Sequence, residues 1–344
     1  MSERPAARGW RSRWADIDGP VRYVDFGGPA RGPLIVAVHG LSGSAMNWLA
    51  LAPLLTGQYR VLAIDLAGHG LTQSEGRGTD VAANRSLLHR FCQAQGQTPV
   101  ILMGNSMGGM ISLLEAATAP DTVAGLILID PALPFVPSRP DLAVAAMFTL
   151  GGLPVIGDAV LGRIRSLPPE RIVAMILSLC CADPSRVDPE VVAQHIDVAR
   201  QRASFDHVGG DLASATRSVI ATAGLAGAHA YRQSIKAITK PVLLLHGEHD
   251  RLVPLSAARA AVRAHPSWSL VELAGAGHVP QLEVPEECAA AIITWLTGPG
   301  RTAAQAAAAG GSSSGARRAA ARLATHGGQY DGGIHLPRGL SGPP

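Results

Sequence analysis

The sequence predicts an α/β architecture: a mostly parallel sheet with helices on both faces, interrupted once by a helical insertion. Three observations carry this. Apolar, β-branched runs of strand length, such as residues 33–39, 59–65 and 123–130, read as strands buried on both faces. Helix-length segments alternate with them at short spacing, as in parallel sheets. The alternation stops at Pro131 and resumes at Pro241, with no convincing buried strand between.

In chain order, residues 14–26 read as two strands about an Asp18-Gly19 turn. The strand at 33–39 ends in His39-Gly40-Leu41, and a short helix is expected over 48–55. The strand at 59–65 runs into Leu66-Ala-Gly-His-Gly70, followed by a helix over 81–95. A strand-like run from Val100 ends at Gly104, and a helix-like run covers 110–118. After the strand at 123–130, helices are expected at 142–148, 170–181, 190–203 and 211–236, separated by Pro- and Gly-containing turns. The second half reads strand 241–246, helix 255–264, strand 269–273 and helix 285–296. The division is therefore an N-terminal extension (1–19), a first core half (20–132), the insertion (133–237) and a second core half (238–299). An Ala/Gly/Ser/Arg tail (300–344), with Gly310-Gly-Ser-Ser-Ser-Gly315 inside it, is expected to be disordered.

At 344 residues the chain can bury a large core, and 47% hydrophobic against 16% charged residues is a globular composition. A net charge of +3 is too small to argue for nucleic acid. The four cysteines, Cys92, Cys180, Cys181 and Cys288, form no C-x-x-C pair and read as buried thiols of a reducing compartment. The first residues carry arginines but no apolar stretch of signal-peptide type. The longest uncharged apolar run, 142–157, is broken by Gly151, Gly152 and Pro154 and is too short to span a bilayer. The expectation is a cytoplasmic protein with no transmembrane segment, making at most transient contact with a membrane surface.

The stretch with the most chemistry is Gly104-Asn105-Ser106-Met107-Gly108, a G-x-S-x-G window between a strand and a helix. A serine pushed out of so sharp a turn has strained backbone angles. Side chains at 104 and 108 would collide where strand and helix cross. The helix start points free N–H groups and its positive dipole end at a reacting carbonyl. Alone, such a window also suits a Gly-rich turn between core elements, so distant residues must distinguish the two. A serine nucleophile needs a base, and the base needs an orienting carboxylate. Asp250 follows the strand at 241–246, in His246-Gly-Glu-His-Asp250, and His278 follows the strand at 269–273, in Gly275-Ala-Gly-His278. Both lie on loops at the C-terminal ends of strands, the same rim as Ser106.

His39-Gly40, residues 65–70, the Ser106 window, His246 to Asp250 and Gly277-His278 together resemble the α/β-hydrolase fold superfamily over roughly residues 20–297. That resemblance implies an α/β-hydrolase fold with a mostly parallel central sheet and a helical lid over the edge where open α/β sheets bind ligands. It implies Ser106 as nucleophile, His278 as general base and then acid, and Asp250 as the orienting acid. It also implies an oxyanion hole from the backbone N–H groups of Leu41 and Met107. Glu248 is the alternative acid, but Asp250 better fits the family position. His246, Glu248, His249 and Asp250 are close enough in sequence to weigh a metal site. Residues packed along one tight turn rarely converge on one ion, so neither metal nor cofactor is expected. His69 reads as structural, and His195 and His207 as lid-surface side chains.

Serine at position 106 argues against the similar epoxide hydrolases and haloalkane dehalogenases, whose nucleophile is aspartate. The window also looks like that of carbon–carbon hydrolases acting on ring-cleavage products. Those commonly carry an aromatic residue after the catalytic histidine, where this chain has Val279, and their lids are shorter. The expected activity is hydrolysis of carboxylic esters through a Ser106 acyl-enzyme. Carbon–carbon bond hydrolysis is the enzymatic alternative, and a catalytically silent binding protein the alternative of another class. The apolar composition of residues 133–162 leads us to expect a small-to-medium apolar acyl group, with Gly151-Gly152 as a hinge for lid opening.

Overall fold

The computed structural model describes residues 10–134, 163–164 and 166–310. Among these, eight strands form one sheet in the order β1-β2-β4-β3-β5-β6-β7-β8. They are β1 (Arg11–Asp16), β2 (Pro20–Gly27), β3 (Leu34–Val38), β4 (Arg60–Ile64), β5 (Val100–Asn105), β6 (Val123–Ile129), β7 (Val242–Gly247) and β8 (Ser269–Leu273). The pairs β1–β2 and β2–β4 are antiparallel, and every later pair is parallel. The β1–β2 hairpin turns at Asp18 (φ 52°) and Gly19 (φ 107°), both left-handed, as a tight hairpin turn requires. Because β1 is hydrogen-bonded into the sheet, residues 11–19 belong to the core, not to the separate extension expected for 1–19.

Period-two alternation builds the core on both faces of the sheet. Ile35, Ala37, Ile101, Met103, Leu243 and Leu245 pack into one cluster with Trp48, Ile292 and Trp295. Their neighbours Val36, Val38, Leu102, Val242 and Leu244 pack into the other, with Leu87, Phe91 and Met110. These helical residues come from α1 (Val81–Ala94) and α2 (Met107–Thr118). The parallel register sets Val38 beside Gly104, Asn105 beside Ile129, Ile129 beside Leu245, and Gly247 beside Leu273. The C-terminal ends of β3, β5, β6, β7 and β8 therefore share one rim.

Between β6 and β7 lie α3 (Pro169–Cys180), α4 (Pro189–Arg202), α5 (Val208–Ala223) and α6 (Ala228–Lys236). The single helix expected over 211–236 is two helices. Gly224 turns extended after α5, and a Cβ at Gly227 would sit 2.1 Å from the Ala221 carbonyl oxygen. The chain doubles back there more tightly than a side chain allows. The helix expected over 142–148, and the hinge at Gly151-Gly152, lie outside the described residues. The Arg202 guanidinium anchors the insertion to the core, donating to the Gly70 and Gly68 carbonyls at 2.8 and 2.9 Å. The Tyr231 hydroxyl donates to the Ala132 carbonyl at 3.0 Å.

After β7 come α7 (Leu255–Ala264), α8 (Pro285–Thr297) and α9 (Arg301–Gly310). The last corrects the expectation of a disordered tail from residue 300. Ala303 and Ala307 are buried, and small residues let α9 lie close against β5 and β6. A Cβ at Gly125 on β6 would come within 2.6 Å of the Ala303 methyl, so the sheet and the helix are matched by absence of bulk. The remaining tail, 311–344, lies outside the described residues. No helix among the described residues is long and apolar enough to cross a membrane.

Because α9 shields one face of β5 and β6, truncation after Pro299 is expected to destabilise the fold by on the order of 2–4 kcal/mol. Thermal melts of full-length and truncated protein check this, and an unchanged midpoint would refute the packing role of α9.

Candidate active site

Ser106 sits between β5 and α2 at φ 53°, ψ −118°, a conformation that a serine does not adopt unforced. Close crossing of strand and helix imposes it. A Cβ at Gly104 would lie 2.5 Å from the Gly108 carbonyl oxygen, and one at Gly108 would lie 2.1 Å from that of Val38. The turn is held from several sides. The Ser106 N–H donates to the Ile129 carbonyl at 3.2 Å, and the Ser106 carbonyl accepts from Ala132 and Met110 at 3.0 and 3.1 Å. Next to it, the Asn105 side-chain amide donates to the carbonyls of Ile129 and His278, each at 3.0 Å. That second bond draws the histidine loop to the elbow.

The two backbone donors expected from the sequence belong to segments that meet at Ser106. Met107 is the first residue of α2, so its N–H has no acceptor inside the helix. The Leu41 N–H is aimed by its own peptide. The Leu66 N–H donates to His39 Nε2 at 3.1 Å, so the ring hydrogen is on Nδ1, which donates to the Gly40 carbonyl at 2.8 Å. The Gly43 N–H donates to the same oxygen at 3.0 Å. In a trans peptide the N–H opposes the carbonyl, so the Leu41 N–H points away from these donors. Burial lowers the His39 pKa, which keeps the ring neutral and able to accept. A Cβ at Gly40 would come within 3.0 Å of the Ser106 Cβ, so this loop lies directly against the elbow.

The structure brings His278 and Asp250 together. His278 Nδ1–H donates to Asp250 Oδ2 at 2.8 Å, and both side chains are almost fully buried. Asp250 Oδ1 accepts the Leu252 and Val253 N–H groups at 2.7 and 3.0 Å. Burial pushes the Asp250 pKa up. The charge and hydrogen bond of His278, with His246 adding to them, outweigh burial and hold it below the usual carboxylate range. With Nδ1 committed as a donor, Nε2 of neutral His278 carries a lone pair able to take a proton. Glu248, the alternative acid, is exposed and accepts only a long 3.3 Å bond from the Gly275 N–H.

The tight-turn metal set does not assemble, because Glu248 and His249 face outward. Asp130, His246 and Asp250 do converge, each offering an atom within 4.8 Å of the others. The His246 Nε2 facing the carboxylates donates to the Val253 carbonyl at 2.9 Å, so it holds a hydrogen and no lone pair for an ion. His69 is buried beside His39, and burial, with His39 adding, pushes its pKa down to about 3. His207 is exposed as expected, whereas His195 is half-buried and its Nδ1 bonds the Val191 carbonyl.

Two side chains that the sequence did not single out shape this rim. Asp130 closes β6 beside Asp250. Glu283 accepts the N–H groups of Gly277 at 2.7 Å, Ala182 at 2.9 Å and Asp183 at 3.0 Å, tying the end of α3 to the histidine loop. The His278 N–H donates to the Cys180 carbonyl at 2.6 Å. The insertion thus braces the histidine directly. The nearest sequence signal is an acidic residue five positions after His278, which by itself has many uses.

A strained strand–serine–helix turn and a buried histidine–carboxylate pair thus stand on one rim of a mostly parallel α/β sheet. The model of the alpha/beta hydrolase fold family matches residues 33–285, and the chain belongs to that family. It is an enzyme of the α/β-hydrolase type. It is 30% identical over 265 residues to the pimeloyl-acyl-carrier-protein methyl ester esterase of Aromatoleum aromaticum, covering 76% of this chain and 96% of that protein. It is 26% identical over 272 residues to the dihydrolipoyllysine-residue acetyltransferase component of the acetoin cleaving system of Cupriavidus necator, covering 79% of this chain but only 65% of that longer protein. Among solved structures, a thermophilic esterase from Thermogutta terrifontis superposes with a TM-score of 0.62 at 25% identity, over 84% of this chain and 98% of that one.

If Asp250 orients the imidazole, Asp250→Asn should lower turnover by on the order of 10⁴-fold by favouring the wrong tautomer, whereas Glu248→Gln should leave it within about threefold. Steady-state kinetics of both variants check the choice, and the reverse pattern would reassign the acid.

Proposed function

We propose that this protein is a serine hydrolase that cleaves carboxylic esters of small-to-medium apolar acids through a Ser106 acyl-enzyme. The observation that carries the reading is Ser106 at φ 53° on the same rim as a His278–Asp250 pair joined at 2.8 Å. In this reading His278 Nε2 takes the Ser106 hydroxyl proton as Oγ attacks the ester carbonyl. Charge develops on the carbonyl oxygen, where the Leu41 and Met107 N–H groups receive it. Asp250 stabilises the imidazolium that forms. Collapse of the tetrahedral intermediate passes the proton to the leaving alcohol. Water then repeats the cycle, giving its proton to His278 and releasing the acid.

Ester hydrolysis as the reaction is supported by the naming of the Aromatoleum aromaticum and Thermogutta terrifontis proteins as esterases. Preference for an apolar acyl group rests on the composition of residues 133–162. Of these, Leu133 is buried in the core, while 135–162 lie outside the described residues. We assign the helical insertion the role of a lid, supported by its contact with the histidine loop at Cys180. The free thiols Cys92, Cys180, Cys181 and Cys288 fit a cytoplasmic setting.

Ser106→Ala should abolish labelling by a fluorophosphonate and reduce ester turnover to the residual provided by binding and the oxyanion donors, with an unchanged melt. Labelling that persists in Ser106→Ala would remove the serine from the mechanism.

Burying a methylene contributes about 0.8 kcal/mol, so kcat/KM should climb over the first few acyl carbons of a nitrophenyl ester series and stop where the pocket ends. A maximum at acetyl, or preference for a charged acyl group, would overturn the apolar pocket while leaving the triad in place.

A further inference from the structure

Asp130 is a buried carboxyl for which the chemistry above has no use. It follows β6 directly, in the left-handed region at φ 44°, where a non-glycine residue is strained. The surrounding structure enforces this. The Asp130 N–H donates to the Leu245 carbonyl at 3.0 Å, and Asp130 Oδ1 accepts the Gly247 N–H at 2.9 Å. The side chain is fully buried, and Oδ2 has no hydrogen-bond partner among the described residues. A carboxylate oxygen left without a donor in such a place is costly. A protonated one is itself a donor and needs only an acceptor.

The groups around it decide which form it takes. His246 Nε2 lies 3.5 Å from Asp130 Oδ1 and 3.6 Å from Asp250 Oδ2. Burial disfavours the imidazolium form of His246, and its Nε2–H is already engaged by Val253. Glu283, from the short helix after His278, adds negative potential, and Cys288 of α8 faces the site as a neutral thiol whose pKa burial raises. Two neighbouring carboxyls in a dry site do not both ionise. Asp250 is the better anion, since it has two backbone N–H donors on Oδ1 and His278 on Oδ2. The charge therefore stays on Asp250. Burial, and next the Asp250 charge, push the Asp130 pKa well above the usual carboxylate range.

We propose that Asp130 is a positioning residue for His278: as a neutral acid, its Oδ2–H donates to Asp250 Oδ2 and fixes the plane in which that carboxylate receives the His278 Nδ1–H. This would fill the last of the four acceptor sites of Asp250. It rests on the reading of His278 as base and Asp250 as its orienter. It also gives the orphaned Oδ2 a partner and gives the strained backbone at Asp130 a purpose.

The experiment compares wild type, Asp130→Asn and Asp130→Ala with three readouts, of which the first two need no turnover. Infrared difference spectra of wild type minus Asp130→Asn at neutral pH should contain a protonated-carboxyl C=O band. The low-field Nδ1–H proton resonance of His278 should persist in Asp130→Asn, whose amide can still donate, and broaden or vanish in Asp130→Ala. Asp130→Ala should lose about tenfold in kcat with KM little changed, the value of one hydrogen bond to a charged group, and Asp130→Asn should recover most of it. Absence of the band would overturn the proposal. So would an acid limb of kcat/KM displaced downward in Asp130→Asn, because that variant would then have removed a negative charge. A low-field resonance indifferent to Asp130→Ala would leave Asp130 merely structural and equally refute it. If esters are not turned over at all, the band and the resonance still decide the matter, so failure of the ester reading is separable from failure of this one.

Discussion

The close crossing of β5 and α2 is the constraint on which the rest of the site depends. It forces Ser106 into a backbone conformation that costs about 1–3 kcal/mol. It can do so only because Gly104 and Gly108 leave no bulk between strand, helix and the end of β3. The same crossing shapes the candidate site. The serine stands at the end of the strand, the first N–H of α2 has no acceptor inside the helix, and the β3 loop passes close to Ser106 at Gly40. Interlocking backbone bonds from β6 and from the loop after it prevent the strain from relaxing.

Around that point the parallel sheet acts as a positioning device. Strands that end in register deliver five loops to one rim, and each loop contributes a group of different character. β3 leads to the neutral His39 ring and Leu41, β5 to Ser106, β6 to the buried Asp130, β7 to Asp250 and β8 to His278. The charge in this group is sparse and located. Asp250 is held as an anion by His278 and two amides, while burial keeps His39, His69 and His246 neutral.

The helical insertion has more than one attachment to this rim. Arg202 grips the two glycine carbonyls of the loop after β4, Tyr231 bonds the chain just beyond Asp130, and Glu283 joins the end of α3 to the histidine loop. Movement of α3 relative to the core would be felt at His278 through the Cys180 carbonyl and the Glu283 clamp. Elsewhere in the core, α9 covers β5 and β6, with the Ala303 methyl fitted against Gly125. α9 also packs on β5, the strand that leads to Ser106.

Sequence by itself determined the parts governed by local periodicity and local sterics. Continuous β-branched runs marked the parallel strands, the paired glycines marked the elbow, and the order of Ser106, Asp250 and His278, each after a strand, marked the candidate set. It also favoured Asp250 over Glu248, and the structure pairs Asp250 with His278. Tertiary structure alone decided whatever depends on contact between distant segments. The tail from Gly300 onward looked too poor in large apolar groups to order, yet Ala303 and Ala307 are buried, and a glycine on β6 removes the bulk opposite Ala303. One helix was expected where Gly224 and Gly227 make two, because the need to fold back comes from the core and not from propensity. Asp130 and Glu283 look like ordinary acids in the chain. What makes them unusual is burial beside Asp250 in one case and three converging N–H groups in the other, and both arise only when strands and loops far apart in sequence meet.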